Sequence, residues 1–192
     1  MAPPPPPFNS SSGADAAAAA GAGGATPAQL RAWFDAIDRS RNGALSCVEL
    51  QHALQLGGLN FSLATVAHII RIHDRSGRGA IAFADFARLH EFLTNVQHSF
   101  EYFDKDRSGS LSYDEIFAAL QHAGYTLERQ ALQAVFQRFD PARSGALGLA
   151  EFLALTLFLR SATATFNAFD PQRTGVVRLS YNQMIYAMSH CL

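Results

Sequence analysis

The pattern of apolar and polar residues along this chain repeats five times in one frame. In each copy, apolar residues recur every three or four positions, which predicts a helix that ends in an aromatic residue or Ile. An aspartate follows, with a glycine five positions later and an apolar residue seven positions later. The five frames begin at Asp38, Asp74, Asp104, Asp140 and Asp170. The frame therefore predicts five helix–loop–helix units, and we number the places of each loop from its aspartate.

The spacing of the five frames alternates. The starting aspartates are 36, 30, 36 and 30 residues apart. An interval of 36 leaves room for two helices and a linker, and Gly57 and Gly124 mark such linkers. An interval of 30 does not, so one helix must leave one loop and enter the next. We therefore predict two long shared helices, over about 82–103 and 149–169. Loops one and two, and loops three and four, should pair through short β-bridges at their apolar eighth places.

The third frame, residues 104–115, carries the most complete set of oxygen ligands. Asp104, Asp106 and Ser108 each offer a side-chain oxygen. The carbonyl of Ser110 offers another, and Glu115 at the twelfth place can offer two. Calcium takes six to eight oxygens at about 2.3–2.6 Å, and this spacing, with glycine at the sixth place, is that of an EF-hand calcium loop. The sequence therefore predicts a calcium site at loop three.

The first frame, residues 38–49, has a similar but weaker set. Asp38, Ser40 and Asn42 stand at the first, third and fifth places. The carbonyl of Ala44 and the carboxylate of Glu49 complete the cage. Loop one has two carboxylates against the three of loop three, so we expect it to bind calcium more weakly.

The remaining loops, 74–85, 140–151 and 170–181, depart from the calcium pattern. Loop two has Arg78 at the fifth place and the shorter Asp85 at the twelfth, so we expect it to be structural. Loop four has Ala142 and Gly148 at the third and ninth places, and we expect at most weak binding at high calcium. Loop five has Tyr181 at the twelfth place and so lacks the bidentate carboxylate, which argues against a calcium site there.

Composition narrows the class of protein. The formal net charge is −1, which gives no indication of a general nucleic-acid or membrane-surface binder. The two cysteines and the absence of a signal-peptide pattern predict free thiols and a cytoplasmic location. Residues 1–25 are rich in Pro, Ala and Gly, so we predict a disordered tail, followed by one domain over 26–192. No G-x-S-x-G motif, P-loop or Cys–His arrangement appears, so we do not expect an enzyme.

Five EF-hands, two long shared helices and a Pro/Ala/Gly-rich N-terminal segment resemble the penta-EF-hand family, which includes sorcin, peflin and the apoptosis-linked programmed cell death protein 6. The resemblance covers about residues 26–192. It implies an all-α fold of about eight helices with short β-bridges between paired loops. It also implies a homodimer, or a heterodimer with a related chain, formed through the fifth hand.

The function expected from these features is that of a calcium sensor and adaptor. Calcium would expose an apolar groove for partner peptides, with proline-rich peptides as one candidate by resemblance. Membrane association, if it occurs, would be indirect, through such partners. Two alternatives remain open: a regulatory subunit of a calpain-like protease, and a calcium buffer without a partner.

Overall fold

The computed structural model describes residues 25–191. The predicted N-terminal tail therefore lies outside the described residues, except for Ala25. The described part of the chain forms eight α-helices and four two-residue strands, as the all-α prediction requires. In chain order these are α1 Pro27–Ile37, β1 Ala44–Leu45, α2 Cys47–Leu56, α3 Leu63–His73, β2 Ile81–Ala82, α4 Phe83–Phe103, β3 Leu111–Ser112, α5 Tyr113–His122, α6 Arg129–Phe139, β4 Ala146–Leu147, α7 Leu149–Phe169 and α8 Tyr181–Cys191.

The chain divides into two compact units, Met1–Arg107 and Ser108–Leu192, with the boundary inside loop three. Unit one contains hands one and two. Its strands β1 and β2 pair antiparallel, with Leu45 opposite Ile81, so the predicted bridge between loops one and two is confirmed. Helix α4 packs on α1 and α3, and Phe34 meets Phe83 and Phe86 edge-on at 5.6 Å between ring centroids. The most deeply buried side chains of unit one include Phe34, Leu45, Leu50, Leu54, Leu59, Ile69, Ile81 and Leu89.

Unit two contains hands four and five and the second half of hand three. Strands β3 and β4 pair antiparallel, with Leu111 opposite Leu147, as predicted. Helix α7 packs against both α6 and α8. The most deeply buried side chains of unit two include Leu111, Ile116, Leu132, Leu147, Phe152 and Leu155.

The two shared helices, α4 and α7, are each 21 residues long, and both predictions are confirmed. Helix α7 is also long and apolar enough to cross a membrane by length and composition alone. Many of its apolar side chains, among them Phe152, Leu153 and Leu157, are buried inside unit two. Packing within unit two thus accounts for part of its apolar character.

Hand five departs from the twelve-residue frame predicted for it. In the other four hands the exit helix begins at the tenth place of the loop, whereas α8 begins at the twelfth, Tyr181. The N–H of Ser180 donates to Gln183 Oε1 at 2.9 Å, and the N–H of Gln183 approaches Ser180 Oγ at 3.4 Å. This reciprocal cap fixes the helix start two residues late. The residue equivalent to the twelfth-place glutamate is therefore Gln183, not Tyr181.

Candidate metal centres

Loop one is held together by the carboxylate of its first residue. Asp38 is buried, and its Oδ1 accepts from the hydroxyl of Ser40 at 3.1 Å and from the N–H of Asn42 at 3.2 Å. Its Oδ2 accepts from the N–H of Gly43 at 2.8 Å. The N–H of Ala44 donates to Asn42 Oδ1 at 2.9 Å. The predicted ligands at the first, third and fifth places thus lie together on the inner side of one turn.

Glu49 closes loop one from the other end. Its Oε2 accepts from the N–H and the hydroxyl of Ser46, at 2.9 and 2.7 Å, and the hydroxyl of Ser46 caps the start of α2 in return. Its Oε1 accepts from the N–H of Ser40 at 3.1 Å. These bonds, led by that from the Ser46 N–H, lower the pKa of Glu49 from 4.5 to about 2. The twelfth-place carboxylate is thus ionised at neutral pH and lies beside the third place of the loop.

Loop three repeats this cap. Glu115 Oε2 accepts from the N–H and the hydroxyl of Ser112, at 2.9 and 2.8 Å, at the start of α5. The hydroxyl of Ser108 donates to the carbonyl of Ser110 at 2.8 Å, which brings the predicted fifth- and seventh-place ligands together. In the first half of the loop, the N–H of Asp104 ends α4 by donating to the carbonyl of Phe100 at 2.9 Å. Asp106 is exposed.

The donors in loops one and three suit a hard cation. All of them are carboxylate, hydroxyl, amide or carbonyl oxygens, which calcium prefers. Within residues 25–191, no three or more His, Cys, Asp or Glu side chains are grouped as a metal site. A site in loop one would accordingly mix its two carboxylates with the oxygens of Ser40, Asn42 and Ala44.

Comparison with known proteins agrees with the five-hand pattern. A family model described as an EF-hand domain pair matches residues 28–90 and 93–157. Mouse sorcin is 30% identical over 167 residues, which cover 84% of this chain and 83% of sorcin. A solved structure of a homolog of programmed cell death 6 protein from Leishmania major Friedlin is 34% identical, with a TM-score of 0.65, over 87% of this chain and 97% of that one. The chain belongs to the penta-EF-hand family.

As a penta-EF-hand protein, the chain binds calcium. Human peflin is a further relative, 32% identical over 168 residues and 85% of this chain. The match spans only 59% of peflin, and the match to penta-EF hand domain-containing protein 2 of Dictyostelium discoideum spans 61% of that protein. The chain thus covers less than two thirds of these curated relatives.

In hand two of this penta-EF-hand chain, an arginine side chain contacts the carboxylate at the twelfth place, where calcium would need a ligand. Asp85, at the twelfth place, is buried and accepts a hydrogen bond from the guanidinium of Arg88. Asp74 still organises the first turn, since it accepts from Ser76 and Gly79, and the Ser76 hydroxyl is the main reason that its pKa is lowered. The loop pattern does not indicate Arg88, which lies outside loop two, although its spacing of three from Asp85 on a helix is a recognisable ion-pair signal.

Hands four and five keep the first turn of the penta-EF-hand loop but lack the serine-capped glutamate that closes loops one and three. Asp140 accepts from the N–H groups of Ser144 and Gly145, at 2.9 and 2.8 Å. The N-cap of α7 is Gly148, which has no side chain to cap the helix, and Glu151 at the twelfth place is exposed. Asp170 accepts in the same way from Thr174 and Gly175. In hand five the capping residue at the helix start, Gln183, is a neutral amide.

Proposed function

We propose that this penta-EF-hand protein is a cytoplasmic calcium sensor and adaptor, without catalytic activity, whose principal metal sites are loops one and three. One observation carries the proposal. Loops one and three combine a ninth-place serine cap with a glutamate at the twelfth place, whereas loop two has an internal ion pair and loop four has no cap. Glutamate at this place can supply two oxygens to calcium.

In loop one, the proposed ligands are the side chains of Asp38, Ser40, Asn42 and Glu49 and the carbonyl of Ala44. In loop three they are the side chains of Asp104, Asp106, Ser108 and Glu115 and the carbonyl of Ser110. Bound calcium would supply a double positive charge that draws these oxygens together. Because Glu49 and Glu115 lie in the first turns of α2 and α5, a change in their partners acts directly on the start of each exit helix.

The adaptor role is supported by the aromatic residues next to the loops. Phe34, one turn before Asp38, packs edge-on against Phe83 and Phe86 at the start of α4. A small shift at the end of α1 would therefore displace aromatic side chains in the core of unit one. We propose that calcium uncovers apolar surface there for a partner peptide. A buffer would bind calcium without such a change.

We also infer that hand five associates with hand five of a second chain, its own copy or a related one. Helix α8 has no buried residue, and an apolar groove of about 350 Å³ lies between it and α7. Phe158, Phe166, Val177 and Met188 are among its lining residues. No strand of the described residues pairs with loop five, whereas the other four loops are paired.

Calorimetric titration of calcium tests the site assignment. Glu115→Gln and Glu49→Gln should each remove one binding phase, because each removes the bidentate ligand of one loop. Glu151→Gln is the matched control, since it makes the same change at the twelfth place of loop four. If neither Glu49→Gln nor Glu115→Gln alters the titration, the assignment is wrong.

A hydrophobic dye tests the adaptor role on the same samples. The dye should brighten on addition of calcium to the wild-type chain, and much less in the double variant Glu49→Gln/Glu115→Gln. Magnesium should not replace calcium, because it is smaller and requires near-octahedral geometry. Calcium binding without any dye response would favour the buffer.

A further inference from the structure

Loop one contains the only asparagine of the chain that a glycine follows, Asn42 before Gly43. In such a pair the backbone nitrogen of the glycine can attack Cγ of the asparagine, because glycine has no Cβ to hinder the approach. The attack forms a cyclic imide and expels ammonia, and water then opens the ring to aspartate or isoaspartate. Asn42 and Gly43 are both exposed, so water reaches the pair.

The geometry of loop one favours attack on the side chain of Asn42. Its Oδ1 accepts a hydrogen bond from the N–H of Ala44 at 2.9 Å. A donor at this oxygen stabilises the negative charge that develops there when the nitrogen attacks Cγ. Gly43 has φ of 79°, and no atom lies within 4 Å of a Cβ built on it, so the surroundings of the turn are open. The carbon that is attacked is thus both activated and accessible.

The same loop restrains the nitrogen that attacks. The N–H of Gly43 donates to Oδ2 of the buried Asp38 at 2.8 Å. The attack requires the loss of this proton, and negative charge on the nitrogen would then face the carboxylate. The hydrogen bond must therefore open first, and a bond to a charged acceptor is stronger than one to a neutral acceptor. The reaction should thus be confined to brief openings of loop one.

We propose that Asn42 is a site of spontaneous deamidation whose rate is set by the hydrogen bond between Gly43 and Asp38. A bond forms between the nitrogen of Gly43 and Cγ of Asn42, and the bond between Cγ and the amide nitrogen breaks. Ammonia leaves with the proton of the Gly43 N–H. One water molecule then adds to the imide and restores an N–H group and a carboxyl group. The reaction needs no enzyme and no oxidant.

Deamidation would change the calcium site of loop one, and this part of the proposal rests on the proposed metal site. Aspartate at position 42 would raise the number of carboxylates in the loop from two to three, the number in loop three. Isoaspartate would add a carbon to the backbone between the fifth and sixth places and would separate the ligands. Calcium held by Asp38 and Asn42 would keep the loop closed and slow the reaction. Loop three has Ser108 at the fifth place and cannot react in this way.

Incubation of the full chain in chelator, followed by tandem mass spectrometry of its peptides, tests the proposal. Asn42 of the folded chain should convert about 10- to 100-fold more slowly than in the same chain unfolded in guanidinium chloride, because opening costs a hydrogen bond to a charged group. It should still convert faster than the other asparagines of the described residues, whose following residues all carry a Cβ: Asn60, Asn95, Asn167 and Asn182.

The variant Asp38→Asn tests the restraint on the nitrogen. In chelator it should speed the conversion of Asn42 by roughly 3- to 10-fold, because a neutral acceptor holds the N–H of Gly43 less tightly. Asp140→Asn is the matched control: Asp140 accepts from the N–H of Gly145 at 2.8 Å in loop four, and its change should leave the rate at Asn42 unaltered. Circular dichroism checks that each variant is folded, and the comparison of folded with unfolded wild type does not depend on either variant.

Calorimetry separates the modification from the metal site. Asn42→Asp, which is one of the two products, should bind calcium at loop one roughly tenfold more tightly than wild type, because affinity rises with the charge of the ligands. Saturating calcium should slow the conversion of Asn42 in wild type but not in Glu49→Gln. If Glu49→Gln removes the loop-one phase and calcium still slows the conversion, the calcium link is wrong while the deamidation site stands.

Three results would overturn the site itself. The first is a rate at Asn42 of the folded, metal-free chain that is no higher than the rates at the other asparagines. The second is an equal rate in the folded and unfolded chains, which would show that loop one does not restrain the nitrogen. The third is an unchanged rate in folded Asp38→Asn, which would show that Asp38 does not set it.

Discussion

The fourth place of the loops holds a residue in the left-handed backbone region. In loops one, three, four and five this residue is an arginine, with φ between 52 and 56°. In loop two it is Gly77, with φ of 67°. A residue with a Cβ loses about 1–2 kcal/mol in this region, whereas glycine does not. Four loops therefore keep an arginine at a position where folding alone favours glycine.

Arg41→Gly should stabilise the metal-free protein by about 0.5–1 kcal/mol. Glycine removes the backbone strain of the left-handed conformation. Part of this gain is lost because glycine has greater backbone entropy in the unfolded chain. Gly77→Arg should lose a similar amount, because no atom lies within 4 Å of a Cβ built there and only the backbone is strained. Urea unfolding in chelator measures both changes. Destabilisation by Arg41→Gly would show that the arginine side chain contributes more to the fold than its backbone costs.

The pH dependence of stability should report the cap of α2. The pKa of Glu49 is lowered from 4.5 to about 2 in the folded chain, so its contribution is fully present above pH 4.5 and is lost as the pH falls toward 2. In chelator, the difference in unfolding free energy between wild type and Glu49→Gln should be constant above that pH and should shrink below it. A difference that is unchanged down to pH 2 would contradict the role of the charged cap.

At the scale of the elements, the spacing of the five loops along the chain predicts most of the fold. The alternation of 36 and 30 residues fixes the shared helices α4 and α7, because a short interval has no room for a break. The eighth-place residues predict the strand register, because each loop has a large apolar side chain there that must be buried: Leu45 pairs with Ile81, and Leu111 pairs with Leu147. The shared helices and the strand register can therefore be predicted from the order of residues along the chain.

Two features could not be predicted from spacing. The sequence of loop five does not show whether α8 begins at the tenth place or two residues later. The cap between Ser180 and Gln183 sets the later start. The pairing of Asp85 with Arg88 depends on the burial of Asp85, which appears only in three dimensions. The ligand assignments at loops one and three remain predictions, supported by the caps at Glu49 and Glu115.

The ion pair in hand two should matter for stability. Arg88→Met should cost about 1–3 kcal/mol, because it leaves the carboxylate of Asp85 buried without its charged partner. The double variant Asp85→Asn/Arg88→Met should cost less than the sum of the two single changes, since the charge and its partner are removed together. Urea unfolding of the four proteins gives the coupling. Strict additivity would mean that the pair does not stabilise hand two.

At the scale of the whole molecule, exposed apolar surface is unevenly distributed. In unit two, every large apolar side chain that is exposed among the described residues lies at the end of α7, in loop five or on α8. They are Phe166, Val176, Tyr181, Met184, Ile185, Tyr186 and Met188. Hands one to four have partner hands that cover such surfaces, and hand five is the odd one. Burial of this surface would stabilise an assembly by roughly 25 cal/mol per Å² of apolar area.

We therefore expect a dimer through hand five, formed across a two-fold axis so that each copy covers the other. The dimer should persist in chelator, because Gln183 replaces the closing carboxylate and loop five needs no metal to hold its shape. Light scattering at tens of micromolar, in chelator, checks the mass. Met184→Glu/Met188→Glu should give a monomer by placing charges in the groove. Val48→Glu/Leu56→Glu, which changes two exposed apolar residues of unit one, should remain dimeric. A monomeric wild type, or equal dissociation of both variants, would show that hand five is covered in some other way.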